Sequence, residues 1–168
     1  MAARPRPRRN GRPATDASCR VRPTQAADLP AIQAIEQVSF ADPWSFRDFA
    51  ETLATGVVFL TAVDGDRVVG YLVARHVADE GEILNVGVSP AHRRRGTGRA
   101  LVTEGLARLG ARGARQVFLE VRESNQAARA LYQRFGFSDV ARRPNYYRRP
   151  VEDAIILRAA ISAEQVPR

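Results

Sequence analysis

Residues 86 to 102 run Val86-Gly87-Val88-Ser89-Pro90-Ala91-His92-Arg93-Arg94-Arg95-Gly96-Thr97-Gly98-Arg99-Ala100-Leu101-Val102, an apolar strand that passes through a basic, glycine-bearing loop into a helix. Such a segment can hold a pyrophosphate. Gly96 and Gly98 lack the Cβ atoms that would keep backbone N–H groups from converging on an anion, and the helix that follows offers unpaired amides and the positive end of its dipole. Arg93, Arg94, Arg95 and Arg99 add positive charge. The glycines do not follow the Gly-x-Gly-x-x-Gly dinucleotide pattern, and the Lys-Ser/Thr ending of a P-loop is missing, so both of those nucleotide folds are set aside. A second chemical signal is Glu120, which interrupts the apolar strand from Val117 to Val121. An ionisable group there is costly unless it is paired, for example with a local arginine, or faces a cleft.

These residues need a scaffold. A chain of 168 residues, 45% hydrophobic, is long enough for one α/β domain and short for two. The charge of +8 is unevenly placed: seven arginines against Asp16 give residues 1 to 22 a charge of +6, leaving +2 for the remainder. The folded part is therefore not a strongly basic nucleic-acid binder by composition, and no sequence-specific nucleic-acid partner is expected. Residues 1 to 18 are rich in Arg, Pro and Gly and read as a disordered tail, residues 19 to 162 as the domain, and residues 163 to 168 as a flexible end. The single cysteine, Cys19, permits neither an internal disulfide nor a thiolate zinc site, and His76 and His92 have no metal-ligand spacing around them, so no metal is expected. No apolar run is long enough for a membrane span and no secretory signal is visible, which points to the cytoplasm.

Apolar periodicity and turn residues give the order of elements. A short strand at Val21 precedes a helix with Leu29, Ile32, Ile35 and Val38 on one side, capped by Thr24 or Asp28. A second helix runs from Ser45 to about Leu53. Strands follow at residues 57–63 and 68–77, joined by a hairpin turn at Asp64-Gly65-Asp66, and at 82–89. A helix from Gly98 carries Leu101, Val102, Leu106 and Leu109 and ends at Gly110 and Gly113. The strand at 117–121 should lie parallel to the one before that helix. Ser124 and Asn125 open a last helix with Ala128, Leu131, Tyr132 and Phe135 on one face, stopped by Gly136, and strands at 137–147 and 154–160 complete a mixed sheet.

The hexapeptide Arg93 to Gly98 fits Arg/Gln-x-x-Gly-x-Gly/Ala and resembles the acetyl-coenzyme A loop of the GCN5-related N-acetyltransferase (GNAT) superfamily, whose element order is the one just given. The stretch Leu119-Glu120-Val121-Arg122 with Ala130-Leu131-Tyr132 is similar to the bacterial ribosomal-protein alanine N-acetyltransferase (RimI) family. Phe40-Ala41-Asp42-Pro43-Trp44-Ser45, Asn145-Tyr146-Tyr147 and Glu152-Asp153-Ala154-Ile155-Ile156-Leu157 agree with it in the same order. The resemblance implies the GNAT fold, acetyl-coenzyme A as cosubstrate and the N-terminal amine of a ribosomal protein as acceptor, with a lysine side chain or a small-molecule amine as the alternative acceptor. A ribosome- or RNA-binding module without catalysis is the reading from another class.

By the same resemblance Glu120 is the general base and Tyr132 the general acid, and Val86, Gly87, Val88, Arg93, Arg94, Arg95, Gly96, Thr97, Gly98, Arg99 and Asn125 contact the coenzyme. Gly87 would suit a bulge where its strand leaves the next one, or else mark tight packing. Asn125 could equally be a helix cap alone, and Tyr132 a core aromatic. Trp44, Tyr146 and Tyr147 are candidate walls of the acceptor pocket. Four strand residues from Glu120 to Ser124 advance about 13 Å and eight helical residues back to Tyr132 return about 12 Å, so the two side chains are expected at one level of the sheet.

Overall fold

Central strands buried on both faces and helices buried on one side build a seven-stranded sheet with helices on both faces. The structure is a computed structural model, and it describes residues 19–162. The readings of residues 1–18 and 163–168 lie outside the described residues. The elements are β1 (Arg20–Pro23), α1 (Leu29–Ser39), α2 (Phe46–Ala54), β2 (Val58–Asp64), β3 (Arg67–Val77), β4 (Glu80–Val88), α3 (Thr97–Ala111), β5 (Gln116–Arg122), α4 (Gln126–Arg134), β6 (Ser138–Arg148) and β7 (Val151–Ala160). Short 3-10 turns precede α1 and α3. The sheet order is β1-β2-β3-β4-β5-β7-β6. Every pair is antiparallel except β4 with β5, where the α3 crossover returns the chain in the same direction.

Two apolar clusters hold the layers together. Leu101, Val102, Leu106 and Leu109 of α3 pack with Leu72, Ile83, Val117, Leu119, Val121 and Tyr132 on one face. On the other, Leu29, Ile32 and Ile35 of α1 and Phe49 of α2 close over Phe59, Tyr71 and Val73. Because strand residues alternate between faces, Leu119 and Val121 belong to the α3 face and Glu120 points to the side that α1 and α2 cover.

The β4–β5 ladder positions the site. It has four rungs, from Glu80 with Gln116 to Ile83 with Leu119, after which both strands continue without pairing to each other. The β3–β4 register slips in the same region, between Val73, paired with Asn85, and Ala74, paired with Ile83, so Leu84 is the extra residue.

Several expectations need correction. Neither Thr24 nor Asp28 caps α1 with its side chain: the Thr24 hydroxyl bonds Thr61 at 2.7 Å, and the Asp28 carboxylate takes Arg22 at 2.7 and 2.8 Å and the Gln25 N–H at 2.8 Å. Val38 is 67% exposed; Glu36 occupies the buried stripe in its place. The helix after the basic loop begins at Thr97 and runs through Gly110, so Gly113, at φ 101°, is the glycine outside its end. The bulge lies at Leu84, not Gly87, whose missing Cβ instead makes room for the Tyr71 ring.

Candidate active site

The basic loop forms as its sequence suggests. Gly96 adopts φ 83°, the left-handed region that favours glycine, and stands immediately before α3. The first amides of α3 have no intrahelical partner, and their dipole ends point the same way. At Gly98 an added Cβ would come 3.4 Å from Leu131 of α4, an ordinary contact, so packing does not require a glycine here. Arg94, Arg95 and Arg99 are exposed. Arg93 is also exposed but already engaged: its guanidinium donates to the Val88 carbonyl at 3.1 Å and to the Ser39 hydroxyl at 3.2 Å, tying the loop to β4 and to the end of α1. Thr97 is buried, with its hydroxyl turned toward the His92 carbonyl at 3.5 Å, and it opens α3. These features fit a pyrophosphate.

Val86, Gly87 and Val88 lie beyond the last β4–β5 rung and pair only with β3, through Leu72, Tyr71 and Gly70. Their other backbone edge is free of the ladder, which suits an extended ligand carrying amides. Asn125 stands at the N-terminus of α4, where its Oδ1 accepts the Ala128 N–H at 3.1 Å; the cap uses that oxygen and leaves the amide nitrogen.

Glu120 is the first β5 residue after the rung at Leu119, so it stands where the two strands part. Its side chain is 23% exposed and pairs with Arg143 at 2.9 Å, so the local-arginine pairing weighed from sequence is present. It also has a tyrosine partner. The Tyr146 phenol lies beside the Glu120 carboxylate, and interaction with that group first, then partial burial, raises the Tyr146 pKa. Tyr147 packs edge-on against Tyr146 at 5.1 Å and carries the Arg122 guanidinium 4.1 Å above its ring. Burial first, then the charge of Glu120, pushes Tyr147 up to about 12.

Tyr132 is buried on α4, with its ring against Phe137 at 5.5 Å. Burial first, and then the neighbouring Tyr147 phenol, raises its pKa above the ordinary 10.0, so it stays protonated at neutral pH. Tyr147 therefore lies within electrostatic reach of both Glu120 and Tyr132. Trp44 is not in this group. Its ring packs on Phe49 at 5.3 Å, and its backbone is held by α1.

The β6–β7 hairpin that supplies Tyr146 and Tyr147 is fixed by charged clamps. Arg122 donates to the carbonyls of Arg149 and Pro150 at 3.1 Å each and to Glu152 at 3.2 Å, while Glu152 accepts the Ser124 N–H at 2.5 Å. Arg142 bridges Glu123 and Asp153, and Asp153 takes the Asn145 N–H at 2.9 Å, holding Asn145 at φ 52° just before the tyrosines. A cavity of about 520 Å³ opens beside Glu120, between the Arg75–Glu82 and Arg143–Glu120 ion pairs and over Phe118 and Ile156. Among the described residues, no group of three metal-binding side chains occurs and no helix is long and apolar enough to cross a membrane.

Sequence reasoning missed Arg143 and Glu36. Arg143 is brought to Glu120 only by the β5–β7–β6 pairing, whereas Glu36 falls seven residues after Leu29 on the helical stripe and was legible as an inward carboxylate.

Comparison with known proteins agrees with this geometry. The profile of the Acetyltransferase (GNAT) family matches residues 25–137. The [ribosomal protein bS18]-alanine N-acetyltransferase of Escherichia coli (strain K12) is 37% identical over 142 residues, covering 82% of this chain and 95% of that protein. The enzyme of the same description from Salmonella typhimurium (strain LT2) is 39% identical over 137 residues, covering 80% and 93%. The crystal structure of the Escherichia coli ribosomal-protein-S18-alanine N-acetyltransferase superposes with a TM-score of 0.80 at 35% identity, covering 86% of this chain and 95% of that one. Ard1 from Thermoplasma volcanium gives the same TM-score, 0.80, at 25% identity, covering 86% and 98%. With its fold, its phosphate-type loop and these relatives in agreement, the chain belongs to the GNAT family of acetyl-coenzyme A-dependent N-acetyltransferases and resembles its bacterial ribosomal-protein-alanine branch.

Proposed function

We propose that the protein acetylates the N-terminal alanine of a small-subunit ribosomal protein in the cytoplasm by direct transfer from acetyl-coenzyme A. The observation that carries the reading is the placement of Glu120 at the parting of β4 and β5, beside Tyr146 and Tyr147 and open to the α1/α2 side. An α-amine has an ordinary pKa near 7.7 to 8.0, so much of it is ammonium at neutral pH and must lose a proton before it can attack a thioester. Glu120 takes that proton, directly or through a water. Tyr132, kept protonated by burial, donates a hydrogen bond to the departing sulfur. The loop from Arg93 to Arg99 and the free edge of Val86 to Val88 hold the coenzyme, with Asn125 at its flank. Tyr146 and Tyr147 bound the acceptor, while Trp44 stands apart from them in the α1–α2 connection, packed on Phe49.

Intact-mass measurement with acetyl-coenzyme A and a panel of basic peptides tests this: N-terminal Ala, Ser or Met, and a blocked peptide with one internal lysine. Modification of the Ala peptide at its α-amine is expected, falling about 100- to 10,000-fold in Glu120→Gln while acetyl-coenzyme A still binds. Preferential modification of the lysine peptide would move the acceptor to a side chain. An undiminished rate in Glu120→Gln, with chemistry shown to limit turnover, would place the base elsewhere.

A further inference from the structure

Helix α1 carries a carboxylate on its buried stripe that, among the described residues, takes its hydrogen bonds from uncharged donors. Glu36 is 1% exposed, and its oxygens take donors from three other parts of the chain. The Tyr71 hydroxyl of β3 donates to one oxygen, the Asn85 amide of β4 reaches both at 3.1 Å, and the Trp44 backbone N–H reaches one at 3.0 Å. One turn earlier on α1, Gln33 donates to the Trp44 carbonyl at 3.0 Å. Both backbone polar groups of Trp44 are thus held by side chains of a single helix.

The three donors are not randomly placed. Asn85 lies two residues past the last β4–β5 rung, at the start of the segment with the free edge. The Tyr71 ring fills the space beneath Gly87 in that same segment. Trp44 belongs to the α1–α2 connection, which covers the face of the sheet to which Glu120 points. Burying a carboxylate is expensive, and the cost is offset only while its donors remain in place, so the group fixes the geometry of everything that donates to it.

We propose that Glu36 is a positioning residue that sets the acceptor-side α1–α2 connection against the coenzyme-side strand β4. The proposal rests on the reading that the acceptor amine approaches from the α1/α2 face. Glu36→Gln keeps the size of the side chain but removes the charge and turns one oxygen into a donor; the Tyr71 hydroxyl can turn to accept from it, whereas the Asn85 amide, which donates to both oxygens, loses one of its two acceptors, and every remaining bond in the group becomes neutral and weaker.

The expected result is a peptide KM raised roughly tenfold, the scale of one hydrogen bond to a charged group. The acetyl-coenzyme A Kd should stay within about twofold and kcat at saturating peptide within about threefold, because Glu120 and the phosphate loop are untouched. A purely structural role would lower the melting temperature without that split. An unchanged peptide KM, or KM and coenzyme Kd rising together, overturns the proposal.

Trp44 is the only tryptophan, so acrylamide quenching of its fluorescence reads the placement of the connection whatever the acceptor is. Quenching should increase in Glu36→Gln, and unchanged quenching also overturns the proposal. If wild type acetylates no peptide amine, the proposed function fails while the quenching measurement still decides this point. Should Glu36→Gln not fold, Gln33→Ala removes only the bond to the Trp44 carbonyl. It should show the same KM split on a smaller scale, and its absence is a refutation.

Discussion

Replacing Gly87 by alanine adds one methyl group next to the C-terminal end of β4. The new Cβ would lie 2.5 Å from Tyr71 Cε1 and 2.6 Å from both Cζ and the hydroxyl oxygen, nearly an ångström inside the ordinary contact that begins at 3.4 Å. The Tyr71 ring has nowhere easy to go. It is fully buried, meets Phe49 edge-on at 5.5 Å, and is anchored through its hydroxyl to Glu36. Overpacking of this kind costs about 1–3 kcal/mol, and loosening a hydrogen bond to a charged group adds roughly 1.5–3 kcal/mol. For a domain of this size, each kcal/mol moves the melting temperature by about 2–4 °C, so calorimetry should show a fall of roughly 5–24 °C. Gly98→Ala is the contrast: its nearest new contact, Leu131 at 3.4 Å, is ordinary, so it should melt close to wild type. Tyr71→Phe should not rescue Gly87→Ala, because two of the three short contacts are to ring carbons. A Gly87→Ala protein that melts within about 1 °C of wild type would refute the packing argument.

Gly96→Val should weaken acetyl-coenzyme A binding, since a β-branched residue is strained at φ 83°; calorimetric titration measures it, and a normal affinity would remove the phosphate role of the loop. Tyr132→Phe should slow turnover in stopped-flow assays that isolate chemistry, and wild type should show no alkaline loss of activity from this residue below pH 10.0, because burial holds its pKa above that value. An alkaline limb near pH 8 that disappears in Tyr132→Phe would contradict this. The Asp28 carboxylate is held below its ordinary 3.8, chiefly by the bond from Arg22, against a smaller opposing effect of burial. Its contribution is complete above pH 3.8 and is lost as pH falls through the depressed folded-state value, so Asp28→Asn should destabilise by about 1–3 kcal/mol at pH 7, and the gap should narrow in acid urea titrations.

Local signals in the sequence were enough for the elements and the loop. Ser45 followed three residues later by Asp48 forms the capping box that starts α2, and Gly96 before an apolar helical stripe marks the turn into α3. What the sequence left hidden was set by residues distant along the chain. Glu120 and Arg143 meet only after β7 inserts between β5 and β6, and Gly87 is explained by a ring from β3. Thr24 and Asp28 look like caps, but their side chains are drawn off by Thr61 and Arg22. Glu36 is the instructive miss: it falls on the helical period of Leu29 and Ile32, but a stripe drawn through apolar residues alone runs to Val38, which is exposed, and passes over a buried carboxylate.

The parting of β4 and β5 gives the sheet two edges in its interior. An unladdered strand is a template for any partner carrying amides, and soluble proteins shield such strands because they invite pairing between molecules. Under the proposed function the shield is not permanent, since the same opening would admit the coenzyme. The chain limits the exposure in other ways: the ladder closes four rungs from the start of β4, α1 and α4 flank the gap, and the open segment is short. A ligand lying along Val86 to Val88 would complete the hydrogen bonding of the sheet as well as bring an acetyl group to Glu120. Binding of this kind favours the folded state by mass action, about 2.7 kcal/mol at a hundred times the dissociation constant, so cellular coenzyme concentration becomes a determinant of how long this sheet resists association.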